Sequence, residues 1–198
     1  MSHIPKITIL AALIGAPAYA GGLTPVTTPE PVVVAPVAPV FDWTGPYVGA
    51  QLGWGWASIV ESGDPDIDGD GYVAGVHAGY NYDFGNIVTG IELAYNLANI
   101  EFENGDPDDT IDTLSNLKLR VGYDTGRTWF YLAGGIARAE AAGGASGSGN
   151  VLGLGVEQRF SERWSGGVEY LMYEFDDFYS GGINLEAQTL QARVSYRF

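Results

Sequence analysis

Apolar and polar side chains alternate along the last residues of the chain. The apolar series is Phe198, Tyr196, Val194, Ala192 and Leu190, and the polar series is Arg197, Ser195, Arg193 and Gln191. Successive side chains of a β-strand point to opposite faces, so this strand has one apolar face. Such an edge strand promotes aggregation in water, whereas closure of the sheet into a barrel within a membrane removes the edge. The pattern therefore predicts a transmembrane β-strand.

Seven further segments share this period of two, which gives eight candidate strands at 45–57, 72–83, 87–100, 113–124, 128–138, 151–160, 164–174 and 185–198. Each is long enough to cross a bilayer when tilted. The predicted connections alternate between long (58–71, 101–112, 139–150, 175–184) and short (84–86, 125–127, 161–163). Long extracellular loops and short periplasmic turns are typical of outer-membrane barrels. The predicted fold class is all-β, an eight-stranded antiparallel up-and-down transmembrane β-barrel.

The two faces of the first segment separate cleanly. Apolar residues occupy the even positions from Val48 to Trp56, and small or polar residues occupy the odd positions from Tyr47 to Gly55. In segment 128–138 both series are apolar; we expect Phe130, Leu132 and Ile136 to face lipid in preference to Trp129, Tyr131 and Ala133.

Aromatic residues cluster near the segment ends, as expected for interfacial girdles. Towards the short connections they are Trp129, Trp164, Tyr82, Tyr123, Tyr196 and Phe198, and towards the long ones Trp54, Trp56, Tyr72 and Tyr95.

Charged residues fall on the predicted lumen face. They are Glu92, Lys118, Arg120, Glu157, Arg159, Glu169 and Arg193, with His77 beside them. The interior of an eight-stranded barrel is only just wide enough to be filled by side chains, and charges confined there must be paired or hydrated. We expect a salt-bridge network that plugs the lumen. The alternative is a gated ion path in which the partners exchange. A lone histidine in such a lumen is expected to join the network and not to act as a catalyst.

Residues 1–20 have the features of a secretory signal peptide: a basic start, a short apolar run and Ala18-Tyr19-Ala20 as a cleavage pattern. Residues 21–42 contain five prolines and predict an extended periplasmic linker. The barrel is expected over residues 43–198. Export followed by insertion predicts localisation in the outer membrane.

Composition excludes several classes of function. The 198-residue chain has no cysteine, which excludes disulfides and thiolate metal sites. Its formal net charge of −15 argues against binding to nucleic acid. No catalytic residue set can be assembled, so we expect no enzyme and no cofactor.

Acidic residues are concentrated in the predicted long loops. Asp64, Asp66, Asp68 and Asp70 match the opening of a calcium-binding loop, but Gly75 occupies the position of the bidentate glutamate. A solvated acidic rim is the simpler interpretation, and loose bridging by divalent cations to lipopolysaccharide is an intermediate one.

The loop around residues 141–149 is predicted to be flexible from its Gly, Ala and Ser content. Recognition of a partner would be expected first at Phe175, Phe178 and Tyr179.

The stretch from Asp42 to Gly49 (DWTGPYVG), the Gly/aromatic first strand and the terminal Tyr196-Arg197-Phe198 resemble the small outer-membrane β-barrel family of proteobacterial surface proteins, similar to OmpA-type barrels. The resemblance implies that Phe198, Tyr196 and Val194 form the signal read by the outer-membrane assembly machinery. We expect no peptidoglycan-binding domain after Phe198.

The expected function is that of a monomeric, structural outer-membrane protein with a cell-surface face, embedded in lipid and lipopolysaccharide. Two alternatives stay open. One is a small ion-conducting, porin-like channel whose acidic loops concentrate cations. The other is an adhesin that acts through those loops.

Overall fold

Eight antiparallel strands form a closed barrel in a computed structural model, which describes residues 41–60, 67–102, 110–179 and 183–198. The strands are β1 (Gly45–Val60), β2 (Ile67–Asp83), β3 (Ile87–Phe102), β4 (Ile111–Asp124), β5 (Thr128–Ala141), β6 (Ser146–Arg159), β7 (Trp164–Tyr179) and β8 (Ile183–Arg197). Each strand pairs with the next, and β1 pairs with β8, so every strand has two hydrogen-bonded neighbours. The described residues include no helix long and apolar enough to span a membrane.

Two of the short turns share one construction. Gly85 and Gly126 have φ angles of 106° and 91°, a left-handed conformation that favours glycine. Two residues earlier, Asp83 and Asp124 each accept a hydrogen bond from the glycine N–H, at 2.7 and 2.6 Å. These Asx turns fix the β2–β3 and β4–β5 hairpins. We call this end of the barrel the short-turn end and the opposite end the loop end.

The faces of the strands agree with the prediction in the membrane-spanning part. In β1, Leu52 is 63% exposed on the outside, whereas Gln51 is 4% exposed in the lumen. In β5, Phe130 and Leu132 face outward as expected. Trp129, however, is buried in the lumen, so its predicted place in the outer aromatic girdle was wrong.

At the loop end the strands run further than predicted. Residues 146–149, expected in a flexible loop, belong to β6, and the chain reverses in a turn at 142–145, with Gly144 at a φ of 85°. Asp68 and Asp70, expected in the first loop, lie in β2. Phe175, expected in the fourth loop, is buried inside the barrel on β7.

The alternation of apolar and polar side chains changes phase along these extended strands. Near the middle of β8, Leu190 faces outward and Gln191 inward. Nearer the loop end of the same strand, Leu185 faces inward and Glu186 outward. The same inversion occurs in β3, where Ile100 is buried in the lumen and the following residue, Glu101, is exposed. Since water replaces hydrocarbon outside the barrel beyond the membrane, apolar side chains there are stable only in the interior.

The barrel lumen as candidate functional site

Side chains from all eight strands form one connected polar network in the half of the lumen nearer the short turns. We call it the lumen network. Its members are Tyr47, Asn81, Glu92, Lys118, Arg120, Tyr131, Glu157, Ser165, Glu169 and Arg193.

Glu92 on β3 lies at the centre of this network. Its Oε1 is 3.1 Å from the Nζ of Lys118. Its Oε2 is 3.2 Å from Nη1 of Arg120 and 2.5 Å from Nη2 of Arg193. Tyr47 donates its hydroxyl to the same Oε2 at 2.7 Å. One carboxylate therefore connects strands β1, β3, β4 and β8.

Glu169 on β7 is the second carboxylate that pairs with two cations. Its Oε1 lies 2.5 Å from Nζ of Lys118 and 2.6 Å from Nη1 of Arg193, and its Oε2 accepts a 2.9 Å hydrogen bond from Tyr131. Lys118 and Arg193 each bridge Glu92 and Glu169. The four charges thus join the two sides of the barrel.

Arg120 on β4 extends the network to β2 and β6. It donates to Asn81 Oδ1 at 3.1 Å and to the Tyr47 hydroxyl at 2.5 Å, and its Nη1 is 3.4 Å from Oε2 of Glu157. Its guanidinium also lies 4.6 Å from the ring centroid of Trp129, a cation–π contact. Ser165 donates to the other oxygen of Glu157 at 2.6 Å.

The network is electrically balanced and almost fully buried. Three carboxylates face three cations, and their side chains are no more than 2% exposed. A buried charge without a partner costs several kcal/mol, so each of these groups depends on its neighbours. Glycine provides room: a Cβ at Gly79 would lie 2.3 Å from the Tyr47 hydroxyl, and one at Gly155 would lie 2.4 Å from Tyr131.

Six of the eight lumen residues predicted from the sequence meet in this network, and two do not. Arg159, predicted to be a member, lies at the short-turn mouth and donates to the backbone carbonyls of Asp42 and Glu162. Of the four bases and three acids predicted on the lumen face, three bases pair with the three acids in the lumen network. His77 hydrogen-bonds through Nε2 to the Ser195 hydroxyl at 2.9 Å. Inward-facing Tyr47 and Tyr131 were missed, although their alternation placed them on the lumen face.

Residues 41–43 close the short-turn mouth, and we call them the mouth plug. The buried ring of Trp43 lies 5.7 Å from that of Trp129, and its backbone N–H donates to Asp83 Oδ2 at 3.1 Å. Arg197 stacks 5.4 Å from the Trp43 ring and donates to the Trp43 carbonyl. Phe41 is buried beneath Arg159. Phe41 and Asp42, predicted to end the linker, therefore pack with the barrel, while residues 1–40 lie outside the described part.

At the loop end the lumen is filled by apolar side chains, which we call the apolar layer. Its main members are Val73, Ile100, Ile111, Leu114, Leu171, Phe175 and Leu185, all buried. Amides lie between this layer and the lumen network. Gln51 donates to Asn96 at 2.5 Å, and Asn116 donates to the Tyr173 hydroxyl at 3.2 Å. An apolar layer in the lumen was not predicted from the sequence.

The candidate calcium residues lie on the outer surface as far as they are described. Asp68 accepts from the Ser58 hydroxyl at 2.8 Å, and Asp70 accepts from the Trp54 indole at 3.1 Å. Asp64 and Asp66 fall outside the described residues, as do Asp106 and its acidic neighbours in the second loop. Within the described ranges, no group of three or more His, Cys, Asp or Glu side chains could hold a metal ion.

The predicted assembly signal lies at the short-turn end on the outside of the barrel. Val194 and Phe198 are exposed, and the Tyr196 and Phe198 rings pack edge to face at 5.3 Å.

A closed antiparallel barrel with an apolar band outside and charged residues inside defines the class of outer-membrane β-barrels. Residues 8–198 match the model of the outer membrane protein beta-barrel domain family. The chain belongs to this family and is an integral protein of the outer membrane.

Named relatives agree with this assignment. The chain is 30% identical over 180 residues to the 25 kDa outer-membrane immunogenic protein of Brucella ovis, covering 85% of this chain and 86% of the relative. It is 23% identical over 236 residues to the 31 kDa outer-membrane immunogenic protein of Brucella melitensis, with coverages of 96% and 97%. The crystal structure of Neisserial surface protein A has the same fold, with a TM-score of 0.52, 18% identity, and coverage of 78% of this chain and 98% of that one.

Proposed function

We propose that this protein is a closed, non-conducting structural barrel whose lumen network locks the strands together in the outer membrane. The observation that carries the proposal is the contribution of every strand to one buried network, in which β3, β4, β6, β7 and β8 supply ion pairs and β1, β2 and β5 supply hydrogen bonds. Such a network is disrupted if any strand separates from its neighbours. The proposed role is therefore mechanical support of the envelope together with display of the loops.

Three stacked barriers support the absence of conduction. An ion entering from the short-turn end would meet the mouth plug, in which Trp43 packs against Trp129. It would then need to separate Glu92 from its cations, and finally to cross the apolar layer at Ile100 and Leu114. Transfer of an ion past buried apolar groups carries a large desolvation cost.

No catalytic step is assigned to the lumen. The pair of His77 and Ser195 resembles part of a nucleophilic site, but it lies in the packed interior. General base catalysis also needs a substrate within reach of the base. We therefore favour a non-enzymatic role.

The outer surface at the loop end supports a role at the cell surface. Exposed carboxylates project from the strands there, at Asp70, Glu101, Asp112, Glu140 and Glu186. Next to the anionic lipopolysaccharide surface, these groups would be accommodated by loosely bound divalent cations. This arrangement requires no dedicated metal site.

Single-channel recording of the refolded protein in a planar lipid bilayer tests the proposal. Folded protein, verified by its strand signal in circular dichroism, is expected to leave the bilayer silent. Reproducible conductance steps that change with Glu92→Gln would make the lumen a transport path and overturn the proposal. The exposed variant Glu101→Gln is the matched control.

A further inference from the structure

A groove of about 600 Å³ runs over the outer surface of the barrel, on strands β8, β1, β2 and β3. Ala50 and Ala78 lie in its middle, on β1 and β2. Leu93 and Tyr95 border it on β3, and Tyr196 borders it on β8. Its volume is in the range of sites that hold small molecules.

The groove exists because the outward side chains in its centre are short. On the opposite side of the barrel, the membrane-facing positions of β4, β5 and β6 carry large side chains such as Leu119, Leu132 and Leu154. The grooves that reach those strands are smaller, at about 390 and 430 Å³. Only an apolar occupant fits the groove, because its centre lies in the apolar band of the barrel.

The short-turn end of the groove carries the features of a headgroup site. Trp164 and Tyr196 line it there, with ring centroids 5.1 Å apart. Aromatic pairs of this kind lie at the membrane–water interface. Arg163, exposed in the turn before β7, donates from Nη1 to the Tyr196 hydroxyl at 3.0 Å. This contact holds a guanidinium directly beyond the apolar groove.

We propose that this groove binds one phospholipid of the periplasmic leaflet, with an acyl chain along Ala50 and Ala78 and the phosphate paired with Arg163. Short turns face the periplasm in outer-membrane barrels, so the arginine lies at the level of the phosphates. Arginine recognises phosphate through charge-assisted hydrogen bonds. The three parts of the site thus match the lipid in order along the membrane normal. The groove lies at the level of the acyl chain, the aromatic pair at the membrane–water interface, and the guanidinium at the level of the phosphate.

The charge at the groove end also argues against a second copy of the barrel as the occupant. Two copies inserted in the same direction and related by a two-fold axis would place the same patch against itself. Their Arg163 side chains would then meet at the same level of the membrane. An anionic phosphate neutralises this charge, whereas a second arginine repels it.

Native mass spectrometry of the folded protein, released from detergent micelles doped with phosphatidylglycerol, tests the proposal. The unmodified protein is expected to retain one lipid at a lipid concentration at which Arg163→Gln retains about tenfold less, as expected for the loss of one charge-assisted hydrogen bond. The double variant Ala50→Leu/Ala78→Leu, which fills the groove, should lose the bound lipid while keeping the strand signal in circular dichroism. Arg127→Gln removes an exposed arginine from another short turn and should retain lipid as the unmodified protein does.

Three results would overturn the proposal. The first is equal lipid retention by all four proteins, which would identify non-specific annular lipid. The second is an equal loss in Arg127→Gln and Arg163→Gln, which would indicate attraction by overall charge alone. The third is a dimer mass that disappears in the groove-filling variant, which would assign the groove to a second copy.

Discussion

The two halves of the lumen are filled by opposite chemistries. Near the short turns the interior holds ion pairs around Glu92 and Glu169, while the outside is apolar. Near the loops the interior holds Ile100, Leu114 and Phe175, while the outside carries carboxylates. One continuous barrel therefore combines a membrane-protein pattern with the pattern of a water-soluble β-barrel.

The medium outside the barrel accounts for this difference. In hydrocarbon the outward positions must be apolar, so the polar positions of a strand with a period of two face the lumen. In water the hydrophobic effect favours burial of the apolar positions inside. The two halves should consequently respond differently to substitution.

The largest effect is expected in the lumen network. Arg120→Met removes the cation that pairs with both Glu92 and Glu157, and breaking a buried pair in this way costs about 3–5 kcal/mol. The free energy of unfolding, measured by tryptophan fluorescence in urea with lipid vesicles present, should fall by this amount. Arg138→Met breaks an exposed pair with Glu140 and should cost about 0–1 kcal/mol.

The double variant Arg120→Met/Glu157→Gln sharpens this prediction because it restores charge balance in the lumen. Its destabilisation should be smaller than the sum of the two single effects, as in a coupled pair. Equal unfolding midpoints for Arg120→Met and Arg138→Met would show that the network does not hold the strands together.

A somewhat smaller effect is expected in the apolar layer. Ile100→Ala should cost about 2–5 kcal/mol and Ile100→Val about 0.5–1.5 kcal/mol, because the cavity grows with the volume removed. Glu101→Gln, at the next and exposed position, should change stability by less than about 0.5 kcal/mol. The same urea titration measures all three.

Substitutions of different polarity at Ile100 test whether the lumen contains water near the loop end. Ile100→Asn should be more destabilising than Ile100→Ala, because a buried amide loses its water. The reverse order would mean that water fills this half of the lumen, and the comparison between the halves would fail.

The smallest effect is expected at the mouth plug. Hydrogen bonds from the backbone and hydroxyl of Thr44, with smaller contributions from Arg197 and Arg159, hold the pKa of Asp42 below its usual value of 3.8. A carboxylate with a lowered pKa stabilises the fold above its ordinary pKa, and this contribution is lost as the pH falls through the lowered value. Because Asp42 is exposed, Asp42→Asn should cost less than about 0.5 kcal/mol at neutral pH.

Unfolding measured as a function of pH checks this sign. The difference between the unmodified protein and Asp42→Asn should disappear on acidification below the pKa of Asp42. A difference that grows as the pH falls would contradict the assigned role of the Thr44 contacts.

The membrane-spanning part of the fold could be predicted from the sequence because its pattern has a single period and phase. The faces of β1 around Leu52 and the lipid-facing side of β5 at Phe130 followed from it. The loop ends could not be predicted in the same way. Where the phase inverts, as between Leu190 and Leu185, the alternation no longer matches a membrane strand, and residues such as Asp68 were assigned to loops.

The lumen site was only partly predictable for a different reason. The alternation of apolar and polar residues assigns a side chain to one face of the sheet. It does not give the position of that side chain along the barrel axis or its partner on another strand. Arg159 has the parity of a lumen residue, yet it lies at the mouth, whereas Arg120 reaches Glu157 across the barrel. These side-chain contacts depend on the register between neighbouring strands around the whole barrel. One example is the register of β3 and β4, which places Glu92 opposite Lys118.

Conductance of a matched set of variants tests most directly whether two independent layers close the lumen. All proteins of the set carry Trp43→Ala, which opens the mouth plug. They are this reference protein, Glu92→Ala/Arg120→Ala in the lumen network, Ile100→Ala/Phe175→Ala in the apolar layer, and the combination of both pairs. We expect a silent bilayer for the reference protein and for each pair alone, and conductance steps only for the combination. Conductance by the reference protein, or equal steps from the network pair alone and from the combination, would contradict closure by two layers.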